Sequence, residues 1–136
     1  ISYKGNLFIS FFYELKNINS SLLSLTKINC LMVKKILNKY YKQKIVFKKP
    51  NDLLINKKKI SGILQEIVSV SDNKFLIVGI GINLVKSPKI KNYPTTNLFE
   101  LTGIIINKVI FENHLRVLFE NKLSRLYKTK NKLNKI

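Results

Sequence analysis

Cysteine, histidine and arginine are nearly absent from this 136-residue chain, and each shortage closes a line of chemistry. The single Cys30 lies in an apolar helical pattern without a partner, so neither a disulfide framework nor a cysteine metal site can be built. The single histidine, His114, falls in a helical stretch away from any motif and reads as a surface or satisfied helical residue. No Ser-His-Asp triad or metal cluster can be assembled around it. Long hydrophobic runs are missing too. The longest, residues 75–85, is interrupted by Gly79, Gly81 and Asn83 and reads as a buried strand rather than a membrane span. A signal peptide is not recognisable, and the chain opens on Ile1 rather than Met, as a piece of a longer product would; a cytoplasmic location fits this pattern.

Acidic residues are scarce: 7 Asp and Glu stand against 25 Lys and Arg, for a net charge of +18. Such a balance ordinarily favours a nucleic-acid partner. However, Arg116 and Arg125 are the only arginines, whereas bidentate phosphate and base recognition favours arginine. The lysines are spread through nearly every segment, alongside abundant asparagine and isoleucine, as AT-biased coding would produce. A basic nucleic-acid-binding module therefore stays as an alternative. It would need aromatic platforms on one basic face, and the aromatics here fall mostly in strands expected to be buried.

The chain does have enough apolar material for one core, 46% of its residues. Residues 6–15 are apolar almost continuously and read as a strand buried on both faces, central in a sheet or close to it. Asn19, Ser20 and Ser21 offer helix caps, after which Leu22, Leu25, Ile28, Met32 and Ile36 form an amphipathic stripe. Strands are expected at 44–47, 53–55, 60–70 and 74–83, with turns at Asn56-Lys57 and at Ser71-Asp72-Asn73. Pro88 and Pro94 bracket a loop. A short helix over 97–102 ends at Gly103, and a last helix from about Asn107 carries Leu115, Phe119, Leu123 and Leu126 on one face. Tyr40 and Tyr41 are expected to cap the sheet edge, and the lysine-rich end to fray. With no repeat or linker, the pattern predicts an α/β fold: one mixed β-sheet with helices packed against it.

The richest stretch runs from Lys48 to Leu64. Pro50 biases Lys49 toward extended backbone, Asn51 and Asp52 are turn formers, and Lys59 lies close to Gly62, where a ligand or another backbone comes near. Cations beside a glycine and a polar turn point to an anionic substrate. Lys48-Lys49-Pro50-Asn51-Asp52, Lys59-Ile60-Ser61-Gly62-Ile63-Leu64-Gln65-Glu66 and Gly79-Ile80-Gly81-Ile82-Asn83 resemble, in order and spacing, the motifs of the biotin protein ligase catalytic domain. Residues 2–10 are similar to the family's first glycine-asparagine strand, with Tyr3 in place of a proline, and Pro94-Thr95-Thr96-Asn97-Leu98 to its later helix start. The Gly79-Ile80-Gly81 run alone is not a dinucleotide fingerprint, since a third glycine and a following helix are missing.

The resemblance implies the family's α/β catalytic fold and its reaction, in which ATP activates biotin to biotinyl-AMP and biotin passes to a lysine of a biotin carboxyl carrier protein of acetyl-CoA carboxylase. On its motifs, Lys59 is the lysine between carboxylate and phosphate, and Asp52 is a catalytic carboxylate that holds Mg²⁺ or orients the attacking amine. Lys48, Asn51, Ser61, Gly62, Gly81 and Asn83 are the substrate-binding positions. Bland readings stand beside these: Lys59 as a solvated hairpin cation, Asn51-Asp52 as a structural turn, Ser61-Gly62 as a simple bulge. The resemblance places residues 1–127 in a partial catalytic domain and 128–136 in a basic tail, and leaves a homodimer open.

Three departures matter. Lys49 stands where the family carries tryptophan, which removes an aromatic face beside the nucleotide. The family's arginine-rich G-R-G-R-x-G-R loop has no counterpart in these residues, and neither has its following small β domain. The resemblance thus covers the C-terminal two thirds of a catalytic domain, and the isolated chain is expected to adenylate biotin poorly. A lipoate ligase fits the motif spacing less well, and a non-catalytic remnant that binds a carrier protein is the remaining alternative.

Overall fold

The computed structural model describes the backbone of residues 4–15 and 21–134, with side chains described as far as Lys122. Its elements, in order, are β1 (Leu7–Glu14), α1 (Leu22–Tyr40), β2 (Val46–Lys48), β3 (Asp52–Ile55), β4 (Lys58–Val70), β5 (Asn73–Ile82), α2 (Leu98–Thr102) and α3 (Lys108–Asn134). Local chemistry accounts for the boundaries. The Ser21 hydroxyl accepts the Ser24 N–H at 3.1 Å and starts α1. Asn56 and Lys57 both take positive φ, 51° and 64°, the backbone of a tight two-residue hairpin between β3 and β4. Asn97 caps α2 by accepting the Glu100 N–H, and Gly103, at φ 72°, closes it with its N–H on the Phe99 carbonyl.

The five strands lie in the order β1-β5-β4-β3-β2, and every pairing within the sheet is antiparallel. The parallel component among the described residues is a single bridge between Lys59 and Thr95. Helices α1 and α3 pack on each other and on one face of the sheet, which gives the expected α/β architecture of a sheet with helices against it. Leu53, Ile63, Leu76, Val78, Ile80 and Ile82 meet Val33, Ile36 and Leu37 of α1 and Phe111, Leu115 and Phe119 of α3 in one buried cluster. Each such side chain stabilises the fold by about 1.5–3 kcal/mol, which holds the helices to that face alone. A polar bridge crosses the same interface, with Asn29 donating to Gln65 and Gln65 donating to Thr26.

Strand β1 departs from expectation. It is an edge strand, and Phe8 and Phe12 are 62% and 61% exposed. Its uninterrupted hydrophobicity has two separate causes: Leu7 and Tyr13 enter the core and Phe11 stacks on Phe119, while Phe8 and Phe12 line the opposite face, where Phe12 stacks on Phe75. A run of apolar residues cannot distinguish these two uses. Tyr40 is also displaced from the expected sheet edge. It lies between α1 and α3, stacked on Phe111, with its hydroxyl 3.3 Å from His114 Nδ1. Leu115 and Phe119 are buried as predicted, whereas the side chains of Leu123, Leu126 and residues 128–136, and the caps Asn19 and Ser20, lie outside the described residues.

Candidate active site

The face of the sheet away from the helices carries the motif residues. Register alone brings them together: Lys48 pairs with Asp52, Asp52 with Gly62, Gly62 with Gly81, and Gly81 with Phe8. Paired residues point to the same side, so these five form one row across all five strands. The next row sets Leu64 opposite Gly79 and Gly79 opposite Ser10. Three glycines thus floor a trough with charge at one end and an aromatic ring at the other. The Phe8 ring lies over two of them, since a Cβ on Gly79 would meet its Cζ at 3.5 Å and one on Gly81 its Cδ2 at 3.8 Å. With the loop of Pro88, Lys89, Ile90 and Thr95 along its side, the trough is a cavity of about 520 Å³.

Lys59 reaches this face only because the strand is irregular. Plain alternation from Gly62 would send Lys59 toward the helices. Instead the register slips between Leu53 and Leu54, which pair with Ser61 and Lys59 respectively, leaving Ile60 as an extra residue that is fully buried. A bulge re-aims the side chains beyond it. Lys59 Nζ comes to 3.4 Å from Asp52 Oδ1, both groups largely buried at the trough's charged end. The side chain folds back over Gly62, where an added Cβ would be 2.9 Å from Lys59 Cε and Nζ.

The remaining polar residues fix this geometry. Asn51 Nδ2 donates to the Ile63 carbonyl at 2.6 Å, and Ile63 N–H donates to the Asn51 carbonyl. The Ser61 hydroxyl is buried and donates to the Gly81 carbonyl at 2.7 Å, so it braces the floor. Asn83 Nδ2 donates to the Thr96 carbonyl at 3.1 Å and to that of Lys59 at 3.4 Å, tying the loop to β4. At the start of β1, Asn6 Oδ1 accepts the N–H groups of Val85 and Lys86 and its Nδ2 donates to the Lys86 carbonyl, which pins the chain leaving β5. Of the positions singled out in the sequence, Asn51, Asp52, Lys59, Ser61, Gly62, Gly81 and Asn83 line the cavity. Lys48 does not: its Nζ stands 4.3 Å over the ring of Tyr93.

Tyr93 and Phe8 are the site residues that the sequence reading passed over. The Tyr93 hydroxyl donates to Asp52 Oδ2 at 2.5 Å, and burial, with the bond to Asp52 and its charge adding to it, pushes the phenol up to about 12. An aromatic residue in the polar stretch before Pro94 is the signal that could have flagged it. Asp52 does not by itself fit a protein-held Mg²⁺. Both its oxygens are engaged, an ammonium lies 3.4 Å away, and no group of three or more His, Cys, Asp or Glu side chains gathers among the described residues.

The trough thus has a glycine floor, an aromatic wall and a seated ammonium at one end. The chain belongs to the biotin/lipoate A/B protein ligase family, whose model matches residues 1–83. It is 30% identical over 81 residues to the bifunctional ligase/repressor BirA of Escherichia coli, covering 59% of this chain and 25% of that one. The BirA of Bacillus subtilis is 35% identical over 80 residues, 54% of this chain and 24% of the relative. Among solved structures, biotin protein ligase from Aquifex aeolicus in complex with biotin and ATP superposes with a TM-score of 0.72 at 33% identity, over 94% of this chain and 53% of that one. The chain therefore spans about a quarter of the curated relatives and about half of this solved one. The resemblance to biotin protein ligases read from the motifs is borne out, and so is the fold class. No helix among the described residues is long and apolar enough to cross a membrane.

Proposed function

We propose that this chain carries the adenylate-forming site of a biotin protein ligase. The observation that carries the reading is the Lys59–Asp52 pair, set at the charged end of a glycine-floored trough. The Aquifex aeolicus relative supports it, because that protein was solved with biotin and ATP. In the first step a biotin carboxylate oxygen bonds to the α-phosphorus of ATP while the bond to the β-phosphate breaks and pyrophosphate leaves. Two anions must meet, and the Lys59 ammonium lies where it can face both. Preorganised donors of this kind are worth about a hundred- to a thousandfold in rate. The trough between Phe8 and Leu64 takes the apolar body of biotin, and the loop side near Asn83 takes the nucleotide. In the second step the amine of a carrier-protein lysine attacks the acyl carbon and AMP leaves, with Asp52 orienting the amine. Mg²⁺ accompanying ATP would be held by the phosphates and would offset part of their charge.

Calorimetric titration of the 136-residue chain with a non-hydrolysable biotinyl-adenylate analogue tests the reading. Saturable binding that weakens at least tenfold in Lys59→Ala, with an unchanged circular dichroism spectrum, is expected. No heat of binding to the folded wild-type chain would refute it.

A further inference from the structure

We infer that Tyr93 is the positioning residue of the Asp52–Lys59 pair, its hydroxyl fixing the carboxylate and its ring seating the ammonium. The carboxylate is held at both oxygens: Oδ2 accepts the Tyr93 hydroxyl at 2.5 Å, while Oδ1 faces Lys59 Nζ at 3.4 Å. Without the hydroxyl, the Asp52 side chain would keep one partner and be free to turn about its torsions. The same ring lies 4.3 Å from Lys48 Nζ and 5.6 Å from Lys59 Nζ, both within the range over which an aromatic face attracts a cation. One side chain thus interacts with Asp52, Lys48 and Lys59 together.

The backbone carrying the ring is built to the same purpose. Ile90 and Tyr93 close a tight turn, with Asn92 at φ 60° and the Tyr93 N–H on the Ile90 carbonyl. Directly after it, the Pro94 carbonyl accepts the Lys59 N–H and the Thr96 N–H donates to the Lys59 carbonyl, both at 2.9 Å. Segment 93–96 therefore holds Lys59 twice, by its main chain and, through the ring and Asp52, by its ammonium. This also gives Lys48 a role outside the cavity, as a second cation on the ring that favours its present orientation.

Only the catalytic consequence of this inference rests on the ligase reading, so the primary test needs neither biotin nor ATP. Order parameters of the lysine side-chain NH₃⁺ groups, measured by ¹⁵N NMR relaxation at mildly acidic pH in the cold, report how firmly each ammonium is held. In the wild-type chain Lys59 should be the restrained one and Lys58 free. Tyr93→Phe, which keeps the ring, should lower the Lys59 value to an intermediate level, and Tyr93→Leu to that of Lys58. Unchanged Lys59 values in both variants would overturn the inference. A fall in melting temperature for Tyr93→Phe without any change at Lys59 would also overturn it, leaving Tyr93 as a loop anchor. If Lys59 loosens as expected but the wild-type chain binds no biotinyl-adenylate analogue, the positioning role stands and the ligase reading falls.

Discussion

Replacing Gly62 with alanine probes the trough at its tightest point. Gly62 does not adopt positive φ, so its backbone accepts alanine without strain. The new Cβ would lie 2.9 Å from Lys59 Cε and Nζ and 3.3 Å from Asp52 Oδ1. Real Cβ contacts are not that short, and the atoms in the way are the far end of a flexible lysine, so the lysine moves and the fold does not. Stability should change little: relief of glycine's extra freedom in the unfolded chain contributes about 0.4–1 kcal/mol, a shift of no more than about 5 °C in Tm. Binding should change much more. A lost hydrogen bond to a charged group costs about 1.5–3 kcal/mol, or about 10- to 100-fold in Kd for the biotinyl-adenylate analogue. Gly81→Ala separates two causes, because its Cβ would meet Phe8 Cδ2 at 3.8 Å and the Gly62 carbonyl at 4.0 Å and so leaves Lys59 in place; any loss of binding there comes from filling the trough floor alone. Calorimetry and thermal melting on both variants decide the matter. A Gly62→Ala protein that binds as tightly as wild type, or that melts far below it, would refute this account of the lysine's seat.

Lys59→Ala should abolish any biotin-dependent ATP–pyrophosphate exchange that the wild-type protein supports, while its melting temperature stays within a few degrees. The Tyr93 phenol is raised from 10 to about 12, so its protonated form is favoured by folding; the stability it contributes is complete below about pH 10 and is lost as pH rises through about 12. Denaturant titrations across that range should show a smaller alkaline loss in Tyr93→Phe than in wild type. Burial, reinforced by the charge of Asp52, pushes the Cys30 thiol from 9.0 to about 12. It should resist iodoacetamide at pH 8 until denaturant is added, as followed by mass spectrometry.

Much of this molecule is legible in its sequence because its strands obey simple local chemistry. The apolar run from Phe75 to Ile82 and the turn residues at 56–57 and 71–72 determine two hairpins, and the hairpins bring Gly62 and Gly81 face to face. What remained hidden depends on contacts made across long separations. The bulge that turns Lys59 outward leaves no mark in the hydrophobic pattern, because Ile60 is apolar in either register. Phe8 looks like a core residue in a run of core residues, and only the pairing of β1 with β5 shows that it faces two glycines. Tyr93 meets Asp52 through a loop whose path no periodicity encodes. The motif resemblance marked residues that line the trough, but not the side chains that hold them in shape.

The row from Lys48 through Asp52, Gly62 and Gly81 to Phe8 takes one residue from each strand; β2 to β5 follow one another along the chain, while β1, which supplies Phe8, is separated from its partner β5 by all the others. A partly folded molecule with β1 detached loses Phe8 and with it the trough's aromatic wall. A molecule that fills the trough therefore binds best to chains in which the β1–β5, β5–β4 and β4–β3 pairings are closed, and its binding energy is added to the stability of those four strands instead of to one loop. Occupancy and foldedness are thereby linked, so the melting temperature should rise with the concentration of any molecule that fills the trough.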